Sequence, residues 1–171
     1  CYTLWTNMLT RCYSSNYIEK YPTYAGCSVS DTFKYYHLFY SWCQNQTGFN
    51  IADYQLDKDL LIKGNKIYSE DTCIFIPLAI NSLIAINRSN KGTLPIGVSR
   101  NGNKFSARCM VDGKEKGGKL HLGTFDTPEL AFNAYKTFKE DYIKQQAELY
   151  KNSLDVRAYN ALINYIISIE D

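Results

Sequence analysis

Apolar and aromatic residues change their spacing several times along this chain, and each change marks an element. Trp5, Met8, Leu9 and Cys12 recur at helical spacing, so residues 3–13 read as a short amphipathic helix. Residues 21–26 (Tyr-Pro-Thr-Tyr-Ala-Gly) break that pattern and read as loop. Ser30 or Asp31 can cap a second helix carrying Phe33, Tyr36, Leu38, Phe39 and Trp42, with another loop over residues 44–50. Tyr54-Gln55-Leu56 reads as a strand, which Leu60-Leu61-Ile62 either extends or turns away from. Gly64-Asn65 marks a tight turn, and residues 73–76 form a second β run. Pro77 then opens a helix through Leu78, Ile80, Asn81 and Leu83. Two strands and a helix make a ββα unit of about thirty residues.

Residues 88–93 (Arg-Ser-Asn-Lys-Gly-Thr) are polar and read as a linker. Beyond it, three β runs cover residues 96–100, 104–111 and 119–124. Asn101-Gly102-Asn103 is the hairpin turn between the first two, and the second turn, residues 112–118, is longer. Thr127 followed by Pro128 starts a helix with Leu130, Ala131, Ala134, Tyr135 and Phe138 on one face. Residues 155–170 read as a further amphipathic helix with Tyr159, Leu162, Ile163 and Ile166 or Ile167. The expected class is α+β: a helical segment and ββα unit (residues 1–87), a linker (88–93), a three-stranded antiparallel sheet packed on a helix (94–150), and a C-terminal helix (151–171).

Whole-chain charge, at +2, says little about partners, but its distribution says more. Residues 1–90 hold seven basic and seven acidic side chains, residues 126–171 five and eight, while residues 91–125 hold seven basic against two acidic. A basic middle segment points to a local anionic partner, nucleic acid first, with a solvated lysine-rich hairpin as the alternative. Fifteen Tyr and eight Phe point to aromatic-rich small cores with some rings left for surface stacking. The six cysteines form no CxxC pair, so the strong zinc signature is absent; Cys12, Cys27, Cys43 and Cys73 could be zinc ligands or small buried apolar residues. No signal-peptide pattern and no membrane-spanning apolar run stands out, which favours free thiols in a cytoplasm. A start at Cys1 rather than Met suggests an upstream segment.

The ββα unit carries candidate chemistry. Cleaving a phosphodiester needs neutralisation of charge on the phosphate and a base for the attacking water, and a hard divalent ion with oxygen ligands suits the first task. Asp57 at a strand end and Asn81 on the next helix could converge on such an ion, Mg²⁺ or a similar cation. Residues 2–85 resemble the phage branch of the HNH endonucleases: Trp5, Met8-Leu9, Arg11-Cys12-Tyr13, Tyr21-Pro22-Thr23-Tyr24, Leu56-Asp57-Lys58-Asp59, Gly64-Asn65-Lys66 and Thr72-Cys73 carry the likeness. The resemblance implies a metal ligand at Asp57, a catalytic position at Lys58 where the family keeps His, a middle position at Thr72 where it keeps Asn, and a last position at Asn81. Asp59 and Asn65 are lesser candidates. A lysine is protonated at neutral pH and acts as a base only where its surroundings disfavour the ammonium; a neighbouring divalent cation pushes that way, whereas Asp57 and Asp59 push back.

The three β runs can present a basic face. Lys104, Ser106, Arg108 and Met110 alternate with Phe105, Ala107 and Cys109, and Lys119 and His121 alternate with Leu120 and Leu122. Such a sheet can lie in a major groove as a β-ribbon does. Residues 94–140 are similar to the Apetala/ethylene-response-factor DNA-binding domain through Gly97-Val98, Lys104-Phe105-Ser106-Ala107, Leu122-Gly123-Thr124-Phe125-Asp126-Thr127, Glu129, Ala131 and Ala134-Tyr135. By that resemblance Arg100, Lys104, Arg108, Lys119 and His121 face DNA. Ser99 and His121 stand where the family usually has Arg and Trp, so no sequence preference carries over. The combined expectation is a metal-dependent endonuclease or nickase of phage or homing type, acting on double-stranded DNA in a host cytoplasm. The alternatives are a DNA-binding protein with a degenerate nuclease unit, in regulation or counter-defence, and a protein-interaction module whose basic sheet binds an acidic partner.

Overall fold

The computed structural model describes residues 1–85, 93–111 and 118–171. Most of the expected linker (88–93) and of the long second turn (112–118) lies outside the described residues. The chain divides into two units, Cys1–Ile84 with Tyr150–Leu162, and Ala85–Leu149 with Ile163–Asp171. No described helix is long and apolar enough to cross a membrane.

Unit 1 begins with α1 (Tyr2–Tyr13) and a short α2 (Ser15–Lys20) that the apolar pattern did not announce. Ser14 starts α2 by accepting the Tyr17 N–H with its side chain, the usual role of an N-cap serine. β1 (Ser28–Val29) is followed by a 3₁₀ turn over Thr32–Lys34 and then α3 (Tyr36–Gln44), so the second expected helix begins only at Tyr36. Next come β2 (Tyr54–Asp57), β3 (Ile67–Tyr68), β4 (Ile74–Pro77) and α4 (Leu78–Ile84). β2 pairs antiparallel with β4, Leu56 opposite Phe75 and Asp57 opposite Ile74, whereas β3 pairs parallel with β1. The ββα unit therefore exists as β2–β4–α4, with β3 in its connection committed to another sheet. One core of Met8, Cys12, Phe33, Phe39, Cys43 and Phe75 with their buried neighbours joins α1, β1, the 3₁₀ turn, α3 and β2–β4. Phe33 packs edge-on against Phe39 at 5.0 Å, and the Trp5 indole N–H donates to the Phe33 carbonyl at 2.8 Å.

Residues from the C-terminal part complete unit 1. The Tyr54 hydroxyl donates to the Ser153 carbonyl at 3.0 Å, and the Arg157 guanidinium donates to Gln46 at 3.2 Å while pairing with Asp155. α6 (Val156–Ile163) buries Ala158 and Leu162 and is half the length expected. Ile167 leaves helical register because its N–H donates to the Glu140 carboxylate at 2.8 Å and its carbonyl accepts from Lys136 at 2.7 Å. Burial alone would raise the Glu140 carboxyl, but the Ile167 N–H and the Lys136 ammonium hold it below its ordinary range.

Unit 2 is a sheet of β5 (Val98–Asn101), β6 (Lys104–Met110) and β7 (Lys119–Phe125), antiparallel in the order β5-β6-β7. α5 (Pro128–Tyr150) follows, with the Thr127 hydroxyl accepting the Leu130 N–H at 3.3 Å. Its buried stripe is Ala131, Phe132, Tyr135, Lys139, Ile143 and Ala147; Leu130, expected on that face, is 52% exposed. The Tyr135 ring lies against Gly97, where a Cβ would come within 2.2 Å of it and where φ is +77°. Both facts demand glycine. Gly97→Ala is expected to cost about 3 kcal/mol or more of unit 2 stability, from overpacking plus an unfavourable φ. A lower urea midpoint reads this out directly.

Candidate functional site

The strand-end loop of unit 1 is organised by strand parity. Leu56 and Lys58 point inward and are buried, whereas Gln55, Asp57 and Asp59 alternate on the other side. Lys58, 7% exposed, donates to both Asp59 carboxylate oxygens at 2.6 and 2.7 Å and to the Asn65 carbonyl at 2.7 Å. An ammonium has three donors, and all three are engaged. The ammonium also lies 5.7 Å from the Tyr68 ring centroid. Asn65 returns the contact: its Nδ2 donates to the Lys58 carbonyl at 2.8 Å and to the Ile67 carbonyl at 2.6 Å. Lys58 and Asn65 thus clasp the ends of one loop.

Asp57 is half-buried, and its Oδ1 accepts the Asp59 and Leu60 N–H groups at 2.9 and 2.6 Å, which makes it a turn-former. Burial pushes its carboxyl above the ordinary value, and the Leu60 N–H draws it back. Asn81 reaches Gln55 rather than Asp57, donating from Nδ2 to Oε1 at 2.8 Å. Gln55 was missed by sequence reasoning, although it sits two residues before Asp57 and shares its face. Thr72, expected at the middle position, closes its own turn by donating to the Ile67 carbonyl at 2.7 Å and meeting Ser69 at 2.9 Å. The residue that holds position 58 by its backbone is Asn65.

A divalent ion would find Oδ2 of Asp57 and the amide oxygen of Asn81 as donors. Mg²⁺ characteristically takes one or two carboxylates and fills its shell with water and substrate phosphate, so Asp57 and Asn81 are donors of a type it accepts. Among the described residues no three His, Cys, Asp or Glu side chains form a group that could hold a metal ion. The zinc candidates are correspondingly distributed through the core as two neighbouring pairs, Cys12 with Cys27 and Cys43 with Cys73. Burial pushes the Cys12 thiol up to about 11 and those of Cys43 and Cys73 to about 12, as expected of thiols held among apolar neighbours. These cysteines pack as small apolar side chains in the core.

The sheet of unit 2 presents the second constellation. Arg108 lies opposite His121 and Met110 opposite Lys119, so the four share one face with Lys104. A register shift between Ala107 and Arg108 leaves Leu122 without a partner and puts Thr124 opposite Ser106 on that same face. Lys104, Arg108, Lys119, His121 and Thr124 are exposed, and Ser99 and Asn101 of β5 join them by register. Ser106 faces the same way but is fully buried, its hydroxyl 3.5 Å from that of Thr124, which in turn lies 3.5 Å from His121 Nε2. Arg100 does not belong to this face. It lies directly opposite Phe105, its guanidinium 5.5 Å from that ring. Parity explains the correction: Arg100 is two residues from Val98, which lies opposite the inward-facing Ala107. Lys104 is paired with Asp126 at 3.0 Å, both well exposed, so the pair is weak and easily exchanged for a phosphate. Compared with known proteins, the chain matches no family model, no curated protein and no solved structure.

Proposed function

We propose that this chain binds duplex DNA through the open face of the β5–β7 sheet. The observation that carries the reading is the gathering of Lys104, Arg108, Lys119 and His121 on one exposed face, while the opposite face is occupied by Tyr135 of α5 against Gly97. Lysine and arginine on an open strand face supply phosphate contacts, and Arg108 with His121 at its centre supplies donors for base edges. A band shift with duplex DNA tests this: binding weakens steeply as salt rises, because counterions released from DNA compete again. Binding indifferent to salt would remove the reading and return the sheet to an ordinary solvated surface.

A second reading is metal-dependent cleavage of the DNA backbone by the strand-end loop, as the resemblance to HNH endonucleases implies. What favours it is the placement of Gln55 and Asp57 on one strand face with Asn81 held beside Gln55. A divalent ion there would polarise the phosphate and a bound water. In this reading Asp57 and Asn81 hold the ion, and Lys58 holds the loop. Plasmid incubated with Mg²⁺ or Mn²⁺ is nicked or cut by the unaltered chain and by neither Asp57→Ala nor Asn81→Ala. Intact plasmid together with intact duplex binding would leave the DNA-binding reading alone.

A further inference from the structure

Unit 1 carries a row of cations and rings that neither reading above uses. It begins at the exposed end of α2, where the Lys20 ammonium lies 5.4 Å from the centroid of Tyr21. Tyr21 packs on Tyr17 at 4.7 Å, its neighbour one helical turn back, and Tyr17 meets Tyr24 edge-on at 5.6 Å. The guanidinium of Arg11, from α1, covers Tyr24 at 5.8 Å.

Among the described residues no carboxylate forms an ion pair with the cations of this row. Arg11 is half-buried, and the groups around it are the tyrosines Tyr68, Tyr24 and Tyr17; no carboxylate pairs with it among the described residues. Asp59 is committed to Lys58. Lys66 adds a further cation beside the same turn, donating to the Thr23 carbonyl at 2.7 Å. Glu19 follows Tyr17 by two positions, which puts it on the far side of α2 from the Tyr17–Tyr21 pair. A guanidinium in a partly desolvated site with no anion favours an incoming one, and rings at the surface favour flat partners. Tyr21 is 41% exposed.

We propose that this row is a binding site for single-stranded nucleic acid, separate from the sheet and independent of the duplex reading. A base takes the place of Lys20 over the Tyr21 ring, and the flexible lysine turns to a backbone phosphate. Arg11 takes a second phosphate at the Tyr24 end. The occupant is unpaired because bases inside a duplex already stack on each other and present no face to a tyrosine.

Fluorescence anisotropy with labelled oligo-dT and with a labelled duplex, on the full chain, tests the proposal. Tyr21→Ala is expected to weaken oligo-dT binding about tenfold and Lys20→Gln severalfold, with Tyr21→Trp restoring the first loss and duplex affinity unchanged throughout. Both side chains are exposed, so neither change threatens the fold. Failure of the unaltered chain to bind oligo-dT, or oligo-dT affinity in Tyr21→Ala and Lys20→Gln equal to that of the unaltered chain, would overturn it. Loss of duplex binding in step with oligo-dT would do the same. Oligo-dT binding that depends on Tyr21 in a chain that ignores duplex would uphold this site and sink the sheet reading.

Discussion

Replacing Lys104, Arg108 and Lys119 together by glutamine is expected to lower duplex affinity roughly a hundredfold at moderate salt, at about 1 kcal/mol for each exposed charged contact. The logarithm of affinity plotted against that of salt should become shallower by roughly 3, one phosphate per residue removed. Glutamine keeps the stems and these positions are exposed, so the fold is spared. The matched control is Arg100→Gln, which removes a charge of the same sign a few residues away. Because Arg100 lies over Phe105 on the other face, the salt slope should not move. A slope that responds to Arg100 and ignores the triple change would put the contact on the wrong side of the sheet.

The second large effect concerns stability. Lys58→Met keeps the aliphatic stem but removes the pair with Asp59, the bond to the Asn65 carbonyl and the cation beside Tyr68. Breaking a fully buried pair costs about 3–5 kcal/mol, mostly through the charge left behind. Here the partner left behind is half exposed, so that penalty shrinks. An unpaired Asn65 carbonyl adds about 1–3 kcal/mol. The expected loss is therefore roughly 2–3 kcal/mol, read as a lower urea midpoint with an unchanged slope. Asn65→Ala, which removes the reciprocal bonds to the Lys58 and Ile67 carbonyls, should cost a similar amount. The two losses should not add, since each breaks the same clasp. Unfolding of Lys58→Met at the wild-type urea concentration would remove the clasp from the account of this loop.

The elements that the sequence made legible are those with strong local chemistry. Thr127-Pro128 marks the start of α5, Gly102 turns β5 into β6, and the alternation across β6 sorts Lys104 and Arg108 from Phe105 and Cys109. α2 escaped because a helix of six residues has no apolar period to read, and only the Ser14 cap hinted at it. The tail was overextended because Ile163, Ile166 and Ile167 continue a helical rhythm, while the Glu140 carboxylate and Lys136 ammonium capture Ile167 from a distant element. Two placements at the candidate sites follow from the parity that served β6. Lys58 follows Leu56 by two residues and Arg100 follows Val98 by two, and each turns with its neighbour. The pairing of β3 with β1 had no such signal, since a two-residue parallel contact is decided by tertiary packing alone.

Unit 1 is assembled from Cys1–Ile84 and Tyr150–Leu162, with the sheet of unit 2 encoded between them. During synthesis the first stretch leaves the ribosome well before the second exists. It can gather the Phe33–Phe39 core at once, but the Tyr54 hydroxyl and Gln46 must wait, solvated, for Ser153 and Arg157. Unit 1 is thus begun before the sheet of unit 2 is made and finished after it, and a nascent chain stalled inside α5 would expose the first stretch without its strap.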